Sequence, residues 1–448
     1  MGQATRRTHS ASVLLLALGA AFSILWGISL ERNSHNGVMG FPGIYFGTKC
    51  LMQGCDPYDL KQLQRVYEAA GAADPSASAA IRQSATLYVN LPTTSLIIAP
   101  LALLPLGAAQ TLWLILVILG FLLAAYLMWS VAESYAPRLA VLLLFIILTN
   151  CEIIFSGGNT AGLVVGLTVI AAWCFLQQRH VIAGVLCLAV SLAIKPHDAG
   201  LVWLYFLVAG RPHAKRALQS AALALGMALI AFFWVSHVAP HWLPELRSNL
   251  ATISAPGGIN EPGPSSIGVN SPDMIIDLQT VVSMFHDDPR IYDPVTYAVC
   301  GLLFCAWLIL VKRSRPRSSG AEATDAWIAL AAVAALSMLV TYHRSYDAKL
   351  LLLLSVPASA ALWAEGGVTA WIAAIVSSLA AFFAGDIPLT TLTHITRRRP
   401  LSSPGNFLAD SQAAVLTRPV PLILMCAVIF YLFVLWDRTR RRAVGATP

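Results

Sequence analysis

An all-α, polytopic integral membrane protein is the fold class predicted by this sequence, and three observations predict it. Of 448 residues, 57% are hydrophobic and 11% charged, against roughly 45–50% apolar and about 25% charged in a soluble domain. Apolar runs near the length of about 20 residues that crosses a bilayer as a helix recur along almost the whole chain, so the core is the bundle of spans itself. The basic residues gather in alternate loops, as the positive-inside rule requires. With pI near 9.0 the chain is basic, but that excess belongs to loops facing an anionic membrane surface, and no nucleic-acid partner is expected.

About twelve transmembrane helices are expected in one domain, 1–448, near 11–30, 108–131, 139–155, 160–177, 181–195, 198–210, 217–236, 295–311, 325–341, 348–364, 368–385 and 418–436. The first follows Arg6 and Arg7 like a secretory signal, but no small-residue cleavage site succeeds it, so it is read as an uncleaved helix. A long outer loop, 31–91, comes next. Its stretch "YDLKQLQRVYEAAGAA" spaces Leu60, Leu63, Val66 and Tyr67 at helical intervals and predicts an interfacial helix.

The segment 92–105, "PTTSLIIAPLALLP", is apolar but short and proline-rich. Crossing fully, it would turn "RPHAKR" (211–216), "KRSRPR" (312–317) and the tail Asp437 to Arg442 outward. It is therefore read as a re-entrant or short helix, with both termini cytoplasmic in a cell inner membrane; Arg397 to Arg399 then misfit on the outside. The second long outer loop, 237–293, opens with "HVAPHWLPELRSNL", another predicted interfacial helix. It continues as "SAPGGINEPGPSSIGVNSPD", a mobile flap or a plain connector.

This topology brings 31–91, "SGGN" (156–159), "KPHD" (195–198), 237–293 and "YHRSYD" (342–347) to one face. Ionisable residues at membrane depth are costly and mark sites. Lys195, His197, His343 and Arg344 supply the cations that suit an anionic lipid head group, beside apolar walls for its tail. Asp56, Asp59 and Glu152 are the candidate proton acceptors; Glu152 gains basicity from burial, whereas Asp56 before Pro57 and Tyr58 equally suits a turn. Tyr58, Tyr88, Asn90, Asn159, Tyr346 and Asp347 are candidates to line the pocket. Cys50 and Cys55 lie in the first outer loop, where a disulfide is permitted, and no Cys or His spacing announces a metal; no metal or cofactor is expected.

An ordered set of boxes resembles the membrane-embedded GT-C glycosyltransferases, specifically glycosyltransferase family 87, the polyprenol-phosphate-mannose-dependent type. They are Gly54, Asp56, Pro57 and Tyr58 in "GFPGIYFGTKCLMQGCDPYD", then "YVNLPTTSLIIAPLALLPLG", "SGGN", Lys195 with Pro196, and "TYHRSYD". Two positions depart: Gly40 stands where the family has the acid of an Asp-Phe pair, its presumed base, and Gly157 where it has glutamine. The resemblance implies a GT-C-like fold and inverting transfer of a monosaccharide, mannose or similar, from a polyprenyl-phosphate donor to a glycan or glycolipid at the extracytoplasmic face. Lys195, Arg344, His343 and His197 would then hold the donor phosphate. The alternatives are a lipid or solute transporter or flippase, against which stands the lack of an internal repeat, and an inactive relative of the transferases.

Overall fold

A computed structural model describes residues 3–33, 40–70, 87–264, 275–314, 321–397 and 407–445. Parts of the predicted flap (265–273) and of "KRSRPR" (315–317), with Arg398 and Arg399, lie outside the described residues. Within the described residues every regular element is a helix, as the composition predicts.

In chain order the helices are α1 (Gln3–Asn33), α2 (Phe41–Met52), α3 (Leu60–Ala69), α4 (Pro92–Ala102), α5 (Leu106–Ala132), α6 (Pro137–Leu148), α7 (Glu152–Gly157), α8 (Thr160–Leu176), α9 (Val181–Ile194) and α10 (Pro196–Val208). There follow α11 (His213–Val238), α12 (Trp242–Ser254), α13 (Gln279–Val282), α14 (Pro289–Arg313), α15 (Ala321–Val340), α16 (Ser345–Leu351), α17 (Ser355–Glu365), α18 (Gly367–Phe383), α19 (Asp386–Arg397), α20 (Phe407–Thr417) and α21 (Pro419–Gly445). Among the described residues, seven helical segments are long and apolar enough to cross a membrane. The pair α18 and α19, bent by 65°, makes an eighth. The remaining expected spans fall on shorter apolar helices such as α6, α8 and α9.

Local chemistry explains the breaks. The expected span 139–155 stops at Leu148 and restarts at Glu152, because Asn150 turns back to donate to the Ile146 carbonyl at 2.9 Å and Cys151 leaves helical geometry. Pro196 bars its predecessor from helical geometry, so Lys195 is extended (φ −139°, ψ 81°), closing α9 and opening α10 at one residue. Both predicted interfacial helices form. The Asp59 carboxylate caps α3 by accepting from Lys61 N at 2.8 Å and Gln62 N at 3.3 Å, and the helix buries Leu63 and Tyr67. Helix α12 buries Leu246, Asn249 and Ile253. The segment 92–105 forms the short α4, whose N-terminus is pinned where the Thr93 hydroxyl donates to the Ala193 carbonyl.

The bundle is organised around α15, buried over 89% of its most apolar window, and the kinked run α16–α17, buried over 88%. By contrast α11 is buried over only 11%, so nearly its whole circumference is left to lipid. At one end of α15, Asp325 accepts from Arg438 at 2.7 Å and pairs with Arg442 at 2.6 Å, while Arg438 also reaches Glu365 at 2.6 Å. The loop 341–344 leaves the opposite end.

Candidate active site

Lys195 stands at the helix break that Pro196 creates, and its ammonium lies 2.9 Å from Asp347 Oδ1 and 3.1 Å from Asp198 Oδ2. The ring of Tyr346 lies below it at 5.7 Å, and the Tyr346 hydroxyl accepts from Asn159 Nδ2 at 3.2 Å. Asp347 is completed on its other oxygen by the Arg344 backbone N–H at 3.1 Å. Asp198, wholly buried, turns its Oδ1 towards two imidazoles: His343 Nε2 at 3.3 Å and His197 Nε2 at 3.4 Å. "KPHD", "SGGN" and "YHRSYD", separated by 36 or more positions in the chain, thus close one polar cluster at the end of the apolar bundle.

Arg344 is placed differently from the other predicted cations. Its guanidinium donates to the Tyr342 hydroxyl at 2.8 Å, the Ile259 carbonyl at 2.9 Å and Asn260 Oδ1 at 3.3 Å. It straps the second outer loop to the histidine loop. The same strap continues where Ile276 N donates to the His343 carbonyl at 3.0 Å and Leu278 N to the Leu339 carbonyl at 3.1 Å. Asp277, between these two bonds, is buried, and burial pushes its carboxyl up to about 7 against the opposing Thr280 N–H. Sequence reading missed Asp277; its signal is an acid inside the apolar run "MIIDLQTVV".

A second polar group gathers on the first outer loop. Asp56 Oδ1 accepts from Tyr58 N at 2.9 Å, Tyr58 donates to the Asn90 carbonyl at 2.8 Å, and Asn249 of α12 reaches the carbonyls of Tyr58 and Tyr88 at 2.9 and 3.2 Å. The Tyr88 hydroxyl pairs with Ser95 at 2.8 Å. Asp59 is occupied as the cap of α3, and the hydrogen bond from Gln62, then those from the backbone, hold its carboxyl below the usual range. Glu245 of α12, also missed in the sequence, faces Asp56; burial first, then the hydrogen bond and charge of Asp56, push its carboxyl up to about 7.

Glu152 lies elsewhere. It is buried beside Lys349, which pairs with Asp386, and Asp386 Oδ2 accepts from Ile153 N at 2.8 Å. Asp347 and Lys349, two residues apart on α16, point about 200° apart, so Glu152 is across that helix from Lys195. Gly40, at the place of the family acid, precedes α2 with φ 71°. Its neighbour Phe41 stacks on Trp113 at 5.2 Å, and Trp113 donates to the Gly158 carbonyl at 2.6 Å. Position 40 therefore belongs to the wall next to Asn159.

Two cavities stand out. One, of about 490 Å³, is an apolar groove between α4, α9, α10 and α11, lined by Leu91, Leu192, Ala193, Trp203, Leu225 and Trp242. The other, of about 430 Å³, lies between α2 and α3, with Lys49, Gln53, Gln62 and Arg65 beside Phe46 and Val66 in its wall. Cys50 and Cys55 are joined as a disulfide beside it.

The family model of glycosyltransferase family 87 matches residues 88–341, more than half of the chain. The chain belongs to glycosyltransferase family 87. No curated protein and no solved structure matches it. The chain is a membrane glycosyltransferase, with the all-α multi-pass fold predicted from its sequence. The match takes in Tyr88, Asn159, Lys195 and Asp198 of this glycosyltransferase, and its limits leave Asp56 before it and His343 after it.

Proposed function

We propose that this family 87 glycosyltransferase moves a monosaccharide, mannose or similar, from a polyprenyl phosphate to a glycan or glycolipid at the extracytoplasmic face, with inversion. The observation that carries the reading is a head-and-tail arrangement. The apolar groove runs along Leu192 and Ala193, and Lys195, the next polar residue in the chain, opens the charged cluster of Lys195, His197 and His343 with Asp198 and Asp347. A lipid phosphate asks for such a pairing of apolar wall and cation.

Lys195, His343 and His197 are assigned to the donor phosphate. Arg344 acts on it only through the loop it holds. In the transfer the acceptor hydroxyl oxygen attacks the anomeric carbon opposite the phosphate, the carbon–oxygen bond to phosphate breaks, and its electron pair leaves on the phosphate. The hydroxyl proton passes to a carboxylate. Asp56 is the assigned base and Glu245 its proton-sharing partner, since paired carboxylates in one environment divide acid and base forms between them. The cavity bounded by Lys49, Gln62 and Arg65, next in the chain to Asp56 at Cys55, is assigned to the acceptor. Asp59 and Glu152 are assigned structural roles as a helix cap and a buried ion-pair neighbour, while Tyr58, Tyr88, Asn90, Asn159 and Tyr346 shape the walls.

The test is turnover by purified protein of a panel of radiolabelled polyprenyl-phosphate sugars, comparing wild type with Asp56→Asn and Glu152→Gln. Transfer abolished in Asp56→Asn and retained in Glu152→Gln is expected. Failure of the folded protein to use any donor would sink the reading; loss in Glu152→Gln alone would move the base across α16.

A further inference from the structure

We propose that His197, Asp198 and His343 form a binding site for a divalent transition metal of the zinc class, with an open coordination position. The ligand atoms of these three residues all lie within 4.8 Å of one another. Three lines of geometry carry the assignment.

The first is the orientation of the His343 ring. Its Nδ1 lies 2.8 Å from the Thr341 carbonyl, an acceptor, which holds the ring with Nε2 turned inward. Nε2 faces Asp198 Oδ1 at 3.3 Å. A backbone carbonyl on the far nitrogen is also the usual outer support of a metal-bound histidine.

The second is distance. A charge-assisted N–H to carboxylate hydrogen bond closes to about 2.7–2.9 Å, and neither Asp198 oxygen nor His343 Nε2 makes a hydrogen bond of acceptable geometry among the described residues. Zinc bonds of about 2.0–2.1 Å at tetrahedral angles place neighbouring ligand atoms about 3.3–3.4 Å apart. The two edges from Asp198 Oδ1 are 3.3 and 3.4 Å. The remaining edge, between the two imidazoles, is within 4.8 Å, and the His197 side chain is 41% exposed.

The third is charge. Lys195 sits between two buried carboxylates, Asp198 and Asp347, so the lysine alone does not balance both, and the rest of the positive charge must come from the imidazole side of Asp198. Asp198 divides its oxygens, Oδ2 to Lys195 and Oδ1 to the imidazoles. A cation at Oδ1 balances the cluster without displacing the lysine. Two imidazoles and a carboxylate select zinc or its neighbours over magnesium, and three protein ligands leave a fourth position for an outside oxygen. On the reading given above that oxygen belongs to the donor phosphate; the site itself does not depend on that reading.

The test titrates Zn²⁺ into chelator-stripped, detergent-purified full-length protein and repeats the titration with Co²⁺, reading its visible d–d absorption. One ion per chain is expected, with affinity falling about tenfold or more in His197→Ala, Asp198→Asn and His343→Ala, and unchanged in His286→Ala. His197 is partly exposed, so His197→Ala retains the fold, as thermal unfolding checks. No stoichiometric binding, or binding indifferent to His197→Ala and Asp198→Asn, overturns the site. Sugar transfer at an undiminished rate after stripping overturns the contact with the phosphate. Stoichiometric zinc lost in the three variants, in a protein that transfers no sugar from any donor, upholds the site and sinks the transfer reading instead.

Discussion

The cluster around Lys195 binds its charges so tightly that function and stability are entangled at single residues. Removing one partner of a buried pair strands the other and costs about 3–5 kcal/mol, whereas replacing both is far closer to neutral. Lys195→Met is therefore expected to lower both the melting temperature and donor use. Adding Asp347→Asn should recover most of the melting temperature but none of the donor use. Recovery of both would make the lysine a structural pin. Around Asp56 the informative readout is pH. With the Glu245 carboxyl raised to about 7 by burial and by Asp56, its proton supports Asp56 below that pH and is lost above it. The wild-type rate should inflect near pH 7, and Glu245→Gln should erase the inflection; an inflection that survives the substitution would detach Glu245 from the chemistry. At this scale the sequence named Lys195, His197, His343 and Tyr346 as partners, because charges beside apolar runs stand out. It grouped Arg344 with the donor-phosphate cations, whereas packing engages its guanidinium with the Ile259 carbonyl and Asn260, and it did not single out Glu245 or Asp277.

Helices were legible from apolar runs, one interfacial helix from the spacing of Leu60, Leu63, Val66 and Tyr67, and the other from the stretch "HVAPHWLPELRSNL". Breaks inside apolar runs were not: nothing in hydropathy marks the turn at Asn150 or the bend of 65° before Asp386. The short α7 that results packs on α1 at Gly27, where an added Cβ would lie 2.6 Å from the Glu152 carbonyl oxygen. Gly27→Ala should destabilise the bundle by about 1–3 kcal/mol, while Gly226→Ala, with open space around it, should leave the melting temperature unchanged or higher. Equal effects would remove the close approach of α1. The strap of the second outer loop has a pH dependence of its own. The folded Asp277 carboxyl, buried and raised to about 7, binds its proton more tightly than in the unfolded chain. Its contribution is complete below the ordinary carboxylate range and is lost as pH rises through about 7. Hydrogen exchange of 275–283 should quicken between pH 5 and 8, beyond the intrinsic rate, and Asp277→Asn should flatten that change. An identical response in the variant would refute the strap's dependence on Asp277.

The molecule has two chemically distinct ends, and helix length relates them. Twenty residues of α15 span ~30 Å, the thickness of a bilayer's hydrocarbon core. One end carries the ion pairs of Asp325 with Arg438 and Arg442, the other the loop holding His343. Loop charges predict the arginine-rich end at the cytoplasm and the site outside. Sidedness decides the donor class: outside, where no nucleotide sugar is supplied, a sugar must arrive already activated on a lipid. In a chain whose free cysteines are replaced and whose Cys50–Cys55 bridge is kept, a membrane-impermeant maleimide should label Gln64→Cys on exposed α3 in intact cells. Arg441→Cys, whose native side chain is 79% exposed, should react only after permeabilisation. Labelling of Arg441→Cys in intact cells would invert the molecule, place Lys195 and Asp56 at the cytoplasmic surface, and make a nucleotide sugar the donor to test. Because the groove beside Lys195 would remain apolar in either orientation, that outcome would assign the lipid to the acceptor, so one labelling experiment separates the two chemistries the same fold could house.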